Sequence, residues 1–227
     1  MSQTADRAVK IALISATPLA IAPAASAVGA AFPGGDIWNL LDDRLLADAQ
    51  QQGGVTAPLA ARMDHLIDLA LAGGADGVLL TCSQFGARAD VRDAAADGAA
   101  VLSADGPLFD EAVALRPERV LLVASLESAS ADSTARLTDA FASAGFEAEV
   151  LPLVVPAAAR PAPGQDLGEL LADEVAAYPE PYDVIVLAQY SLAPAAALLA
   201  ARSGVTVLEG PGAAARRLAA SIDGASR

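Results

Sequence analysis

The chain has 227 residues, 54% of them hydrophobic, with a mean hydropathy of +0.43, a composition that excludes disorder and demands an extensive core. Its formal net charge of -14 at pH 7 and pI near 4.3, with no Lys/Arg cluster to offset them, repel phosphate backbones and anionic lipid heads, so neither nucleic acid nor membrane is expected as a partner. One cysteine cannot close an internal disulfide and one histidine cannot build a common zinc site, so a reducing, cytoplasmic setting without a structural metal is expected.

Arg7 and Lys10 precede an apolar run ending Ala25-Ser26-Ala27, which imitates a secretory signal with its small-residue cleavage site. Pro18 and Pro23 interrupt that run, and residues 9–14 read instead as a first strand. Thr17 and Pro18 then supply the cap and first-turn proline of an alanine-rich helix toward Ala31, ended by Pro33-Gly34-Gly35. Residues 36–41 form a second strand carrying Trp38 and Asn39, and Asp42-Asp43 cap a short acidic helix through Ala49. After Gly53-Gly54, Thr56 and Pro58 open a longer helix. Its Leu59, Met63, Leu66, Ile67, Ala70 and Leu71 recur at helical spacing until Gly73-Gly74 stops it. His65 lies inside this helix and reads as structural. No run reaches the roughly 20 apolar residues of a spanning helix.

Residues 77–80 are short and uniformly apolar, the pattern of a central strand of a parallel sheet covered on both faces. Thr81, Cys82, Ser83 and Gln84 follow at its carboxyl end, where ligands bind in open α/β sheets, and residues 87–96 read as the next helix. Cys82 has two readings at this point. It is a thiol for chemistry, with helix N-terminal donors lowering its pKa and desolvation opposing them, or a small hydrophobe filling the core. Residues 101–102 make a short strand and 105–115 a helix with Pro107 in its first turn.

After Arg116-Pro117 the same grammar restarts. Residues 120–124 are a strand, 128–144 a helix, 149–155 a strand, 156–164 a Pro/Ala-rich loop and 165–178 an acidic helix. Then comes a second buried strand from Val184, one residue after Asp183, just as the first begins one residue after Asp76. In this alignment Gln189 stands where Cys82 stands in the first half. Residues 205–208 and a last helix after Gly210-Pro211-Gly212 close the pattern. Those glycines make no dinucleotide fingerprint, so NAD is not expected. Alternating strands and helices imply parallel sheets. The expected fold is α/β with two pseudo-symmetric lobes, each a mainly parallel sheet flanked by helices, whose strand ends face one cleft. The N-terminal lobe is placed at residues 1–115, joined by a C-terminal helix at 209–227, and the C-terminal lobe at 116–208.

Leu80-Thr81-Cys82-Ser83 and Leu187-Ala188-Gln189-Tyr190-Ser191, with Ser15-Ala16-Thr17-Pro18 after the first strand, resemble the aspartate/glutamate/hydantoin racemase superfamily, whose relatives include arylmalonate decarboxylase and maleate isomerase. The resemblance spans the chain. It implies two α/β lobes with the site between them, chemistry without organic cofactor or metal, and a homodimer. The family's racemases use two cysteines, one from each lobe, on opposite faces of an acidic carbon. Cys82 matches the first, but Gln189 stands at the second, and an amide cannot exchange a proton near neutral pH. A one-thiol isomerase or decarboxylase acting on a small carboxylate or related carbonyl compound therefore fits better than two-base racemisation.

Such chemistry concentrates charge on carboxylate oxygens as an enediolate forms, and donors must meet it there. The hydroxyls and strand-end N–H groups of Ser15, Thr17, Thr81, Ser83, Ser125 and Ser191, and the amides of Gln84 and Gln189, are the substrate-binding candidates. Asn39 joins them if it lines the cleft; a turn role suits it equally. Tyr190 is a substitute proton donor or a packing residue, and Ser125 and Ser128 are alternatively helix caps. The rival to an enzyme is a non-catalytic small-carboxylate-binding protein that has lost the second cysteine.

Overall fold

The computed structural model describes residues 7–93 and 99–225. They divide into two compact units, the first running to Ala104 and resuming at Ala214, the second spanning Asp105–Ala213.

Unit 1 is built on β1 (Lys10–Ser15), β2 (Asp36–Leu41), β3 (Gly77–Leu80) and β4 (Ala100–Leu102), paired in parallel in the order β2-β1-β3-β4. Its helices include α1 (Ile21–Ala31), α2 (Leu45–Gln51), α3 (Ala57–Ala72) and α4 (Gly86–Asp93). Unit 2 contains α5 (Gly106–Leu115), β5 (Arg119–Ala124), α6 (Glu127–Ser143), β6 (Glu149–Val154), α7 (Leu167–Ala176), β7 (Val184–Leu187), α8 (Ala196–Ser203) and β8 (Thr206–Glu209). Its strands are again all parallel, in the order β6-β5-β7-β8. The last helix, α9 (Gly210–Ala225), begins in unit 2 and belongs to unit 1 from Ala214 onward. This is the α/β class expected from the alternation of strands and helices, with one sheet topology used twice.

The apolar strands explain the layout. β3 and β7 are buried at every residue, and β1 and β5 are buried after their first residue. Strands without a polar face need helices on both sides. In unit 1, Met63, Ile67 and Ala70 of α3 meet Ala12, Ile14, Val78 and Leu80 of the sheet, which is the face its helical spacing marked. In unit 2 the two sheet faces have separate cores, one around Leu122, Leu137, Phe141 and Val186, the other around Leu121, Leu171, Ile185 and Leu199.

Each central strand is also pinned at its start. The Asp76 carboxylate accepts the Lys10 N–H at 2.8 Å, and the Asp183 carboxylate accepts those of Glu118 and Arg119 at 2.9 and 2.8 Å. The backbone N–H groups of the same aspartates donate to the carbonyls of Lys10 and Arg119. The aspartate noted before both apolar runs is thus one device used twice.

Several boundaries differ from the sequence reading. The helix at 105–115, placed with the N-terminal lobe, belongs to unit 2, because Leu108, Phe109 and Ala112 pack with Val120, Leu122 and Leu137. Pro18–Ala20 is a separate 3-10 turn, with Thr17 Oγ1 accepting the Leu19 N–H, and α1 starts only at Ile21. Asp42 does not cap α2. Its carboxylate accepts the Arg44 N–H at 3.2 Å and the Arg62 guanidinium at 2.7 and 2.5 Å, tying the chain after β2 to α3. Gly210-Pro211-Gly212 does not interrupt the chain but forms the first turn of α9, where Glu209 accepts the Gly212 N–H at 2.8 Å. Of the helix expected at 87–96, residues 94–96 lie outside the described residues.

Gly73 closes α3 against the only tryptophan. A Cβ there would lie 2.8 Å from Trp38 Cη2 and nearer still to Cζ3, and Trp38 packs on the unit 1 core. Gly73→Ala is expected to cost about 1–3 kcal/mol through overpacking. Urea unfolding followed by Trp38 fluorescence reads both the lost stability and the disturbed ring; an unchanged midpoint would show that the ring yields freely.

Candidate functional site

In unit 1 the parallel ladder continues past β3 for one residue, the Thr81 N–H donating to the Ile14 carbonyl at 3.0 Å. Cys82 follows in extended conformation, and Ser83–Phe85 turns as a 3-10 helix into α4. The polar run at 81–84 therefore sits at the carboxyl end of a central strand, where topology favours a site. Cys82 is 9% exposed and lies on the border of the core that holds Leu80, Phe85 and Ala89. Both of its sequence readings, strand-end thiol and core neighbour, describe this place.

The hydroxyls behind it are engaged. Ser15 and Thr81 are buried with their oxygens 2.9 Å apart, and Thr81 Oγ1 also donates to the Ile14 carbonyl at 3.4 Å, which leaves Ser15 to donate to Thr81. These two candidates brace β1 against β3. Thr17 caps its own turn. Ser83 and Gln84 are half-buried beside Cys82, and the Gln84 Oε1 is buried without a hydrogen-bond partner. Asn39 lies within β2, as its strand predicts, level with Leu13 and short of the strand end, and is exposed.

Unit 2 places its polar residues at the equivalent strand end. Gly77 of β3 is level with Ile11, and Val184 of β7 with Val120. Counted from those residues, Cys82 and Gln189 occupy the same position. The Ser125 N–H and hydroxyl both donate to Gln189 Oε1, at 2.7 and 2.9 Å. A backbone N–H can only donate, so this contact fixes the amide oxygen toward Ser125 and turns Nε2 away. Among the described residues no acceptor bonds that Nε2. Ser191 is half-buried in the 3-10 turn that follows.

Tyr190 is 6% exposed, and its hydroxyl is buried without a partner. Burial drives its pKa well above the ordinary tyrosine value, with the charges of Asp105 and Glu209 adding to the effect. The phenol therefore stays protonated at physiological pH, as a hydroxyl that can donate or accept a hydrogen bond but is a weaker proton donor than an ordinary tyrosine.

Two acidic groups near this tyrosine carry no signal in the sequence. Asp105 is buried at the start of α5, and both its oxygens are held by Arg136 of α6, Oδ1 at 2.9 Å from Nη2 and Oδ2 in a shorter contact with Nη1. Burial pushes the Asp105 carboxyl up while Arg136 pulls it back. Before Gly106-Pro107 it reads only as a helix cap, and a partner 31 positions away leaves no local pattern. Glu209, level with Leu187 across β7 and β8, reads equally plainly as a strand-end residue. A groove of about 240 Å³ between α7 and α8, lined by Val175, Tyr182, Leu199 and Arg202, lies toward the amino end of β7. Its arginine is paired with Glu169 and Asp173.

No protein-family model and no curated protein matches the chain, but solved structures do. An allantoin racemase from Klebsiella pneumoniae aligns with 95% of this chain and 88% of its own at 19% identity and a TM-score of 0.67. A glutamate racemase from Bacillus anthracis aligns over 96% and 82%, at 11% identity and a TM-score of 0.71. A maleate isomerase from Pseudomonas putida aligns over 96% and 94%, at 16% identity and 0.61. The chain thus has the two-unit α/β fold of racemases and isomerases. That fold is the one expected from the residues at 80–83 and 187–191. Among the described residues no helix is long and apolar enough to cross a membrane, and no three His, Cys, Asp or Glu side chains gather as a metal site would require.

The buried Asp105 makes the consequence of losing Arg136 pH-dependent. Arg136→Met strands a buried carboxylate, a loss of ~3 kcal/mol at neutral pH, the low end for buried pairs because the arginine is partly wet. With its partner gone, the Asp105 pKa rises further above the unfolded value. The folded state then binds the extra proton, and the deficit shrinks as pH falls through that raised value toward about 4. Urea midpoints of wild type and variant between neutral and acid pH should converge; a constant gap would mean that the pair carries no buried charge.

Proposed function

We propose that this chain is a cofactor-independent enzyme of the racemase/isomerase type, acting on a small carboxylate or related carbonyl compound with Cys82 as its proton-transfer group. The observation that supports this most directly is the pairing of equivalent strand ends: a thiol at the end of β3 and an amide at the end of β7. In such a reaction the thiolate of Cys82 takes the proton from the carbon beside the carbonyl. The C–H electron pair moves onto the carbonyl oxygen as an enediolate or enolate, and the new thiol later returns a proton to carbon. The N–H groups and side chains at 83–84, which follow Cys82 directly in the chain, would be the donors for the developing charge.

Gln189 has no proton to exchange, and the Tyr190 phenol is held protonated. Because burial also makes that phenol a poor acid, Cys82 is the group that both removes and returns the proton in this reading. This favours isomerisation, exchange with one stereochemical sense, or decarboxylation followed by protonation from Cys82, over racemisation by two opposed bases.

Substrates drawn from amino acids, hydantoins, malonates and maleate, followed by NMR in D2O, test the proposal. Deuterium is expected at the acidic carbon of at least one compound without loss of optical purity, or isomerisation or CO2 loss in its place. Cys82→Ser should lower that rate by at least about 100-fold, the lower range for a general acid–base group, with the fold retained by circular dichroism. Turnover that survives in the variant would remove Cys82 from the mechanism. Binding without any turnover in wild type would identify a binding protein instead.

A further inference from the structure

β2 and β6 are the outer strands of their sheets, and each has one edge that its own sheet does not use. The Asp36 and Asp42 N–H groups donate to the carbonyls of Val9 and Ser15 at 2.8 and 3.0 Å. Alternate residues face the partner in a parallel ladder of that register, so Trp38 and Leu40 also turn their N–H and C=O groups to β1. Those of Ile37, Asn39 and Leu41 turn outward, and among the described residues no group bonds them.

β6 has the same geometry with a different edge. Glu149 and Val155 donate to Glu118 and Ala124 at 2.9 and 2.8 Å, so Val150, Pro152 and Val154 face outward. Pro152, level with Leu122 of β5, stands where Asn39 stands, level with Leu13 of β1. Proline has no N–H to give there and covers the edge with its ring, a protection that outer strands use against pairing with another chain. β2 has no such block: the outward row carries the exposed Asn39 and Leu41, the latter 44% exposed.

From this contrast we infer that the edge of β2 is completed by β2 of a second copy of this chain, antiparallel about a two-fold axis at Asn39. The strand matches itself in that register. Ile37 falls opposite Leu41, and Asn39 opposite Asn39, each such pair exchanging two backbone hydrogen bonds. On the other face the half-buried Trp38 falls opposite the half-buried Leu40. Asp36 and Asp42, which meet at the ends of the pair, each bring a cation of their own, Lys10 at 3.9 Å and Arg62 at 2.7 Å. A slip of two residues would set Asn39 against Ile37 or Leu41 instead. A pairing of this length lies at the small end of specific interfaces, and two chains of net charge -14 repel each other. The dimer is therefore concentration-dependent and is strengthened by salt.

Sedimentation equilibrium from micromolar to millimolar protein, together with amide exchange read by NMR on 15N-labelled protein, tests the inference without reference to activity. The mass is expected to rise toward that of two chains and to stop there, at lower concentration when salt is added. The Ile37, Asn39 and Leu41 amides should exchange fast in dilute protein and slow down as the dimer forms, while those of Trp38 and Leu40 stay protected throughout. Asn39→Pro copies the block found in β6, and Leu41→Lys sets a charge on the edge; each should weaken association at least about tenfold, with the fold retained by circular dichroism. Should Asn39→Pro fail to fold, Leu41→Lys decides alone. A chain that stays monomeric at every concentration overturns the inference. So does a dimer that both folded variants keep, which uses another surface, and so does protection of the three outward amides in dilute monomer, which means that the chain covers its own edge.

Discussion

In each half one carboxylate, on Asp76 or Asp183, accepts the N–H groups that open the adjacent strand, and the positions of the polar strand-end residues follow from that contact. Strands buried on both faces gain little register information from their side chains, since a slip of one residue exchanges one apolar face for another. A fixed polar contact at the start of the pair supplies what alternation cannot. With Asp76 joined to Lys10, Thr81 comes level with Ser15; with Asp183 joined to Arg119, Gln189 reaches Ser125. A slipped register would break these hydroxyl and amide contacts along with the aspartate's.

The same arrangement divides labour between the halves. Behind Cys82 the hydroxyls of Ser15 and Thr81 satisfy one another and the Ile14 carbonyl. At the end of β7 the side chain at the equivalent position is itself the paired group, with only its nitrogen left outward. On the proposed reading, the strand end that carries Cys82 moves a proton and the one that carries Gln189 donates a hydrogen bond.

Much of this was legible in the residues. The two all-apolar runs of Gly77–Leu80 and Val184–Leu187 read as central strands, and the aspartate before each gave the alignment in which Gln189 stands at the position of Cys82. The face of α3 followed from its spacing. What escaped was long-range or depended on tertiary competition. Asp42 looked like a cap, yet Arg62, 20 positions away, offers its carboxylate a stronger, charged partner. Asp105 likewise forgoes a local role because Arg136 holds both its oxygens. The ownership of α5 depends on Leu108 and Phe109 meeting Val120 and Leu122, and chain order alone favours the wrong half.

The allotment of α9 bears on how the protein is made. Gly77 has no side chain, and the space above it is filled by Leu218 and Ile222 of α9, whose methyl carbons would lie 2.9 and 3.5 Å from a Cβ there. The central strand of unit 1 is thus roofed by a helix that the ribosome delivers only after all of unit 2. A nascent chain must carry an open apolar sheet face through the whole synthesis of the second half, and unit 2, whose residues are contiguous, can settle first. Unit 1 is the first begun and the last completed, so a break anywhere between the two halves costs the earlier half its cover.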